Sequence, residues 1–373
     1  MSTTPHPEGT PPPRPELFPQ AAASGAPHYA PQYYPPPPPP RRGFWGRFFL
    51  TFFVLLASGS FFLNLILLSF SASVLGDSSS LPVHEKFVSH DKNGVDKVAI
   101  LPIEGVILES EDGFVMRAIE AAMKDDHLRA LVLRVDSPGG SVSGSDYIYY
   151  HLRKLAEKKN IPIVVSMGSM AASGGYYVSM AVGHKPDTIF AEPTCFTGSI
   201  GVIMPHYNVS EFMKDHGLAD DSIASNNLKM MGSMTRPITP EEKEIFSALI
   251  KDSFEHFKEA VRSGRARFAK DPKQLDKLAT GQIYTADQAV KNGLVDEIGF
   301  LDDAVTRAIE LAQLDTDKVK VVRYKQEAGL ASILMGGQSS KSQSLDLKAL
   351  LEMTTPKAYY LASWLPGLAS AAK

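Results

Sequence analysis

The sequence predicts an α/β protein, with repeated βαβ units around a largely parallel sheet, preceded by one N-terminal transmembrane helix. Three observations predict it. Short β-rich runs at Val98–Ile103, Ala130–Val135, Ile161–Val165 and Thr188–Ala191 alternate with helix-patterned stretches around Val115–Lys124 and Tyr147–Lys159, and such alternation builds parallel strands joined by covering helices. Small-residue turns follow two of those runs, where the sites of open α/β sheets lie. A single long apolar segment stands ahead of them all.

Taken in order, residues 1–43 are dominated by Pro, Ala, Ser and Gly and end near the run Pro35–Pro40. Such a composition buries too little apolar surface to offset chain entropy, so a disordered, Pro-rich arm is expected. Residues 44–75 are expected to anchor the chain in a lipid bilayer. From Phe48 to Phe70 there is no charged residue, and Asn64 is the one strongly polar interruption; roughly twenty apolar residues span the hydrocarbon core. Phe44 and Trp45 sit where an interfacial aromatic belt would. Arg41, Arg42 and Arg47 flank the N-terminal side, against Asp77 as the first charge beyond, which predicts a cytoplasmic arm and an extracytoplasmic remainder. A cleaved signal peptide is the competing reading, helped by the small residues Ser71–Ser73. Residues 76–96 read as a polar stalk, 97–325 as the folded domain and 326–373 as a linker and apolar tail.

The composition narrows the function. With 373 residues and 44% hydrophobic content the chain can bury an enzyme-sized core, and a net charge of −3 carries no polyanion-binding signature, so no nucleic acid is expected. The single cysteine, Cys195, excludes an intrachain disulfide and a Cys-based metal cluster, and reads as a small buried hydrophobe. In Met167–Tyr177 a β-branched run gives way to Ala-Ala-Ser-Gly-Gly and then to two tyrosines. Ser173 is the candidate nucleophile there, with Gly174 and Gly175 able to turn backbone N–H groups toward an oxyanion. A glycine-softened helix start fits the same stretch. Gly139 and Gly140, in Asp136-Ser137-Pro138-Gly139-Gly140-Ser141, are further oxyanion candidates, although an ordinary strand-to-helix turn capped by Ser141 or Ser143 fits as well.

A serine needs a base, usually His and sometimes Lys. His84 and His90 fall in the expected stalk, and His127, His151, His184, His206, His216 and His256 lie in charged or loop-like surroundings without a motif. A lysine base must be neutral, which an apolar setting favours. Lys229, beside Leu228, Met230 and Met231 in the polar loop Ser222–Met234, has the most apolar neighbours among the loop lysines, although most loop lysines are solvated. Before that loop a helix is expected near Val209–His216. After it, Thr239-Pro240-Glu241-Glu242 is a capping box with proline at the first helical position, opening a helix to about Ser263. Lys318–Arg323 alternates like an edge strand and Gly336–Ser344 reads as a linker. Leu345–Met353 is helix-patterned, and the apolar Ala358–Ala371 suits packing on a neighbour, contact with a membrane, occupation of the cleft as a self-substrate, or a helix completing the core.

Several of these motifs stand in one order: Gly168-Ser169-Met170-Ala171-Ala172-Ser173-Gly174-Gly175-Tyr176-Tyr177, Asp136-Ser137-Pro138-Gly139-Gly140, Thr197-Gly198-Ser199-Ile200-Gly201-Val202, Gly281-Gln282-Ile283-Tyr284-Thr285-Ala286 and Gly293-Leu294-Val295-Asp296. Together, from about Val98 to Leu314, the chain resembles the bacterial signal peptide peptidase A (SppA) family. The resemblance implies a serine endopeptidase of the ClpP/crotonase fold, anchored in the bacterial inner membrane, that uses a Ser–Lys dyad and no metal or cofactor to degrade residual signal peptides. Carried over, Ser173 is the nucleophile, Lys229 the general base, Ser199 the hydroxyl that orients the lysine, and Gly140 with Gly174 the oxyanion hole. The Asn226-Asn227-Leu228 ahead of Lys229 departs from the family's commoner small-residue pattern. The resemblance also implies a homo-oligomeric ring whose sites neighbouring protomers complete. Two other functions fit parts of the chain: an acyl-CoA enzyme of the same fold, which leaves Ser173 and Lys229 without a task, and a catalytically silent membrane scaffold.

Overall fold

The computed structural model describes residues 44–75, 83–108, 113–326 and 359–361. Helix α1 (Phe44–Leu75) has 32 residues and no acidic or basic residue in its first or last turn respectively. Its stretch Arg47–Leu65, of mean hydropathy 2.0, is long and apolar enough to cross a membrane. The large apolar side chains from Phe48 to Leu65 are exposed, as in a helix whose solvent is hydrocarbon. The expected arm, residues 1–43, lies outside the described residues.

The domain that follows is ordered β1 (Val83–His90), β2 (Asp96–Ile107), α2 (Phe114–Lys124), β3 (Leu128–Ser141), α3 (Val142–Lys159), β4 (Ile163–Ala172), α4 (Gly174–Ser179), β5 (Ile189–Ala191) and β6 (Phe196–Gly198). It continues with α5 (Ser210–Asp215), α6 (Pro240–Gly264), α7 (Ala266–Lys270), α8 (Pro272–Leu278), β7 (Ile283–Thr285), α9 (Ala286–Asn292), β8 (Glu297–Ile298), α10 (Leu301–Leu311), β9 (Val319–Gln326) and β10 (Tyr359–Leu361). The main sheet runs β1-β9-β2-β3-β4-β5-β8. Only β1 is antiparallel to its neighbour along that path. This is the expected α/β architecture.

Period-two alternation explains how the sheet carries two cores. Ala99, Leu101, Leu131, Leu133, Ile163 and Val165 point to one face, where residues of α2, α3, α4 and α6 cover them. Val98, Ile100, Ala130, Val132 and Val164 point to the other, against Ala304, Val305, Ala308 and Ile309 of α10. Apolar on both faces, these strands have to lie inside a parallel sheet. Helix α6 begins as its sequence signals, with a Thr239–Glu242 capping box and Pro240 in the first turn.

Two expectations are corrected. Residues 83–90, assigned to a stalk, form β1 and pair antiparallel with β9; the strand is mostly solvent-exposed, and its polar composition hid it. The run 318–323, read as an edge strand, falls on β9 from Val319 onward, and β9 lies between β1 and β2. The apolar tail contributes a strand at 359–361 rather than a helix there, and the rest of the linker and tail lies outside the described residues. β10 runs antiparallel to β3, with Tyr359, Tyr360 and Leu361 opposite Ser141, Gly140 and Gly139.

The central event in the sheet is the parting of β3 and β4. Their register passes from Val135↔Met167 to Ser137↔Ala171, so one residue of β3 faces three of β4. Below this bulge β4 pairs with β5, and above it Met170–Ala172 pair with β6. Because β2 takes one edge of β3 at Gly139 and Gly140, β10 takes the other, in the gap that β4 has left.

The late motif around Asp296 locks the far side. Its carboxylate accepts the backbone N–H groups of Thr188 and Ile189, each at 3.0 Å, and pairs with the buried Arg265 at 2.7 Å. Arg265 Nε also donates to the Gly293 carbonyl at 3.0 Å. Removing one member leaves a buried charge and two orphaned amides. Asp296→Ala is expected to lower stability by about 3 kcal/mol, measured as a shift of the urea midpoint at unchanged slope.

Candidate active site

Ser173 stands between β4 and α4, at φ 55° and ψ −115°. An L-residue at this φ carries strain of about 1–3 kcal/mol and persists only where its surroundings hold it. They do so here through both ends of its own peptide: Ser173 N–H donates to the Gly198 carbonyl at 2.8 Å, and its carbonyl accepts Tyr177 N–H at 2.8 Å, opening α4. The side chain is 1% exposed, and Oγ has no hydrogen-bond partner among the described residues. Buried hydroxyls are seldom left so.

The glycine turns converge on it. A Cβ on Gly174 would lie 3.1 Å from both Gly139 Cα and Gly140 N, and 2.4 Å from Ser145 Oγ, so the start of α4 is pressed against the end of β3. A Cβ on Gly140 would lie 1.7 Å from the Ile107 carbonyl oxygen. Only glycine fits at either place. Ser137 shapes the turn between them: its hydroxyl donates to the Gly105 carbonyl at 2.6 Å and accepts Gly139 N–H at 3.1 Å. Gly140 and Gly174, predicted as the oxyanion pair, are therefore adjacent.

Ser199 is brought to the same place. Ala172 pairs with Gly198, so Ser173 and Ser199 each follow one member of a paired rung. Ser199 is also at positive φ, 51°, and its N–H donates to the Gln282 carbonyl at 2.7 Å. On α4, which Ser173 precedes, Tyr177 joins Tyr149 and Phe257 in an aromatic row with centroid spacings of 5.4 and 5.1 Å and donates to Asp146 at 2.7 Å.

Lys229 is placed differently. It lies on a single 3-10 turn, Asn227–Met230, where Asn226 caps the turn by accepting Lys229 N–H at 3.1 Å. The unusual asparagine thus has a structural task. Arg236 ties the turn down, donating to the Met230 carbonyl at 3.0 Å and pairing with the buried Glu242 of α6. The Lys229 side chain is exposed and makes no hydrogen bond to Ser173 Oγ within this chain. Its apolar neighbours suggest burial, but they are themselves only partly covered. Cys195 is fully buried, and burial pushes its thiol up to about 12, so it is no nucleophile near neutral pH. Among the described residues no cluster of His, Cys, Asp and Glu fit to hold a metal is found. Sequence reasoning missed Ser137 and Asp136 as shaping residues, because nothing in a small-residue turn marks which hydroxyl or carboxylate bridges to a neighbouring strand.

The strain at Ser173 is measurable. Ser173→Gly is expected to be more stable than Ser173→Ala by about 1 kcal/mol, since glycine adopts this φ without a Cβ clash while alanine keeps it. Thermal denaturation of the two variants side by side checks this.

The peptidase family S49 model matches residues 155–315. A Synechocystis protein described as a protease is 36% identical over 256 residues, covering 69% of this chain and 89% of that protein. Protease 4 of Salmonella typhi is 36% identical over 263 residues, but the match covers only 41% of that longer protein. An Enterococcus faecium protein described as a signal peptide peptidase SppA is 32% identical over 261 residues, 67% of this chain and 73% of that protein. The family match takes in β4, α4 and β6, which carry Ser173 and Ser199, and the parallel sheet fits the ClpP-like fold. The chain belongs to peptidase family S49 and is a serine-type peptidase of the SppA kind.

Proposed function

We propose that the protein is a membrane-anchored endopeptidase that attacks peptide bonds with Ser173, uses Lys229 as general base, and degrades residual signal peptides and similar apolar segments. The observation that carries this reading is the buried Ser173 hydroxyl, without a partner among the described residues and held in a strained backbone beside two glycine amides. An acyl-CoA enzyme has no use for such a serine. The length and hydropathy of α1 suit an anchor and so support a substrate at the membrane, with the arm on the cytoplasmic side and the peptidase domain outside in this reading.

In this mechanism the neutral Lys229 amine takes the Ser173 proton as Oγ attacks a peptide carbonyl. The amides of Gly140 and Gly174 stabilise the tetrahedral oxyanion. The amine leaves with a proton from Lys229, and water then hydrolyses the acyl-enzyme by the same base. Ser199 orients the lysine. An amine acts as a base only when neutral, a form that burial favours; Lys229 is exposed in the single chain, so the reading has a neighbouring protomer of a homo-oligomeric ring cover it and bring it to Ser173. Peptides enter as extended strands, as the backbone pairing of β10 with Gly139–Ser141 illustrates.

Ser173→Ala and Lys229→Ala are each expected to lower cleavage of casein or a signal-peptide substrate by about 10³-fold or more, with thermal stability retained. Full activity in both purified variants would sink the dyad and leave the silent scaffold. Mixing the two inactive variants is expected to restore part of the activity if base and nucleophile come from different protomers, and none if they come from one. Gly140→Ala is expected to cost about 10²–10³-fold in kcat, because the added methyl cannot coexist with the Ile107 carbonyl in the present turn.

A further inference from the structure

The bulge that parts β4 from β3 needs something to hold it. Opposite the three residues Gly168, Ser169 and Met170 of β4 stands the single residue Asp136 of β3. A bulge leaves ladder groups unpaired, and an unpaired, part-buried amide is costly. Here one carboxylate oxygen serves in place of the ladder: Asp136 Oδ1 accepts the Ser169 hydroxyl at 2.7 Å and Met170 N–H at 3.2 Å. The other oxygen lies against Gly168, where an added Cβ would come within 3.0 Å of Oδ2. Bonds to a carboxylate are about twice as strong as neutral ones. Two residues earlier on the same face of β3, Arg134 donates to Ser166 Oγ at 2.9 Å and pairs with Glu192 at 2.6 Å, so the flank below the bulge is braced from β3 as well.

Ser173 comes directly after the bulge, three residues beyond Met170. Its backbone is strained, and its position depends on where β4 ends. We propose that Asp136 is a positioning residue for the nucleophile: by accepting from Ser169 and Met170 it holds the bulge open to one fixed extent, and so sets the place and direction of Ser173 Oγ relative to the Gly140 and Gly174 amides. Asp136 itself touches no reacting atom. The inference rests on the reading of Ser173 as nucleophile. A displacement of about 1 Å is enough to cost about 10² in rate at a preorganised site.

The test uses the purified full chain, a peptide ester substrate whose pre-steady-state burst reports the acylation of Ser173 apart from the whole turnover, and a fluorophosphonate probe that labels Ser173 by phosphonylation with loss of fluoride. Asp136→Ala is expected to lower kcat and the acylation rate together, by about 10²-fold, with KM within about twofold. Asp136→Asn keeps an oxygen that accepts both donors and is expected to stay within about fivefold of wild type. Ser169→Ala, at an exposed side chain, removes one of the two donors and is expected to slow acylation by about fivefold with an unchanged melting temperature. A wild-type acylation rate in Asp136→Ala overturns the proposal, as does an Asn variant as impaired as the Ala variant. Should Asp136→Ala fail to fold, Ser169→Ala decides: slowed acylation supports the role and an unchanged rate overturns it. If wild-type protein is not labelled at Ser173 at all, the nucleophile assignment falls instead, which keeps the two failures apart.

Discussion

The structure depends on a mismatch in one ladder. Strands β3 and β4 keep register through Val135 and Met167 and then lose it, because β4 spends three residues where β3 spends one. Everything at the site is downstream of that loss. It turns the end of β4 onto β6 rather than β5, it leaves Ser173 and Ser199 side by side just past the Ala172–Gly198 rung, and it opens the edge of β3 at Gly139–Ser141. A regular parallel sheet would have closed all three. The positive φ values at Ser173 and Ser199 are held by backbone bonds, from Ser173 N–H to Gly198 and from Tyr177 N–H to Ser173, and from Ser199 N–H to Gln282, so the cost of the mismatch is met by neighbouring backbone and not by the two serine hydroxyls.

Much of this was legible in the chain, for physical reasons that differ from element to element. The strands around Val98, Ala130 and Ile161 announced themselves because residues buried on both faces must be apolar whichever way they point. The start of α6 was legible because a capping box is local chemistry, with Thr239 and Glu242 satisfying each other's backbone. The glycines at 140 and 174 were legible because close backbone approach excludes every other residue. Pairing was the part that escaped. Strand β1 reads as a polar stalk because most of its side chains meet solvent, and only its bonds to β9, far along the sequence, make it a strand. Strand β9 reads as an edge because its residues alternate with Lys and Arg, and only its pairing with β1 and β2 makes it an inner strand. The role of Asp136 escaped too, since a carboxylate in a turn looks alike whether it caps its own backbone or bridges to Ser169.

The proposed nucleophile and its proposed base are built on opposite principles. Ser173 is fixed by the sheet, fully buried and backed by an aromatic row. Lys229 sits on one capped turn, outside the core, tied to α6 through Arg236 and Glu242. The rigid half sets geometry. The outlying half leaves room for a contact made by assembly, which under the proposed mechanism links chemistry to oligomeric state.

The edge of β3 beside Ser173 has a direction. Since β10 runs antiparallel there, a backbone occupying the lane in that manner enters by Ser141 and leaves by Gly139, so the two ends of a peptide are not equivalent to the site. A ladder of this kind is also formed by main-chain N–H groups, which proline lacks. The chain's own segment in the lane, Tyr359–Leu361, is free of proline, while Pro356 and Pro366 stand on either side of it. Under the proposed function, a peptide lying in this lane keeps proline out of the positions whose N–H groups face β3, as Tyr359–Leu361 of the chain itself does.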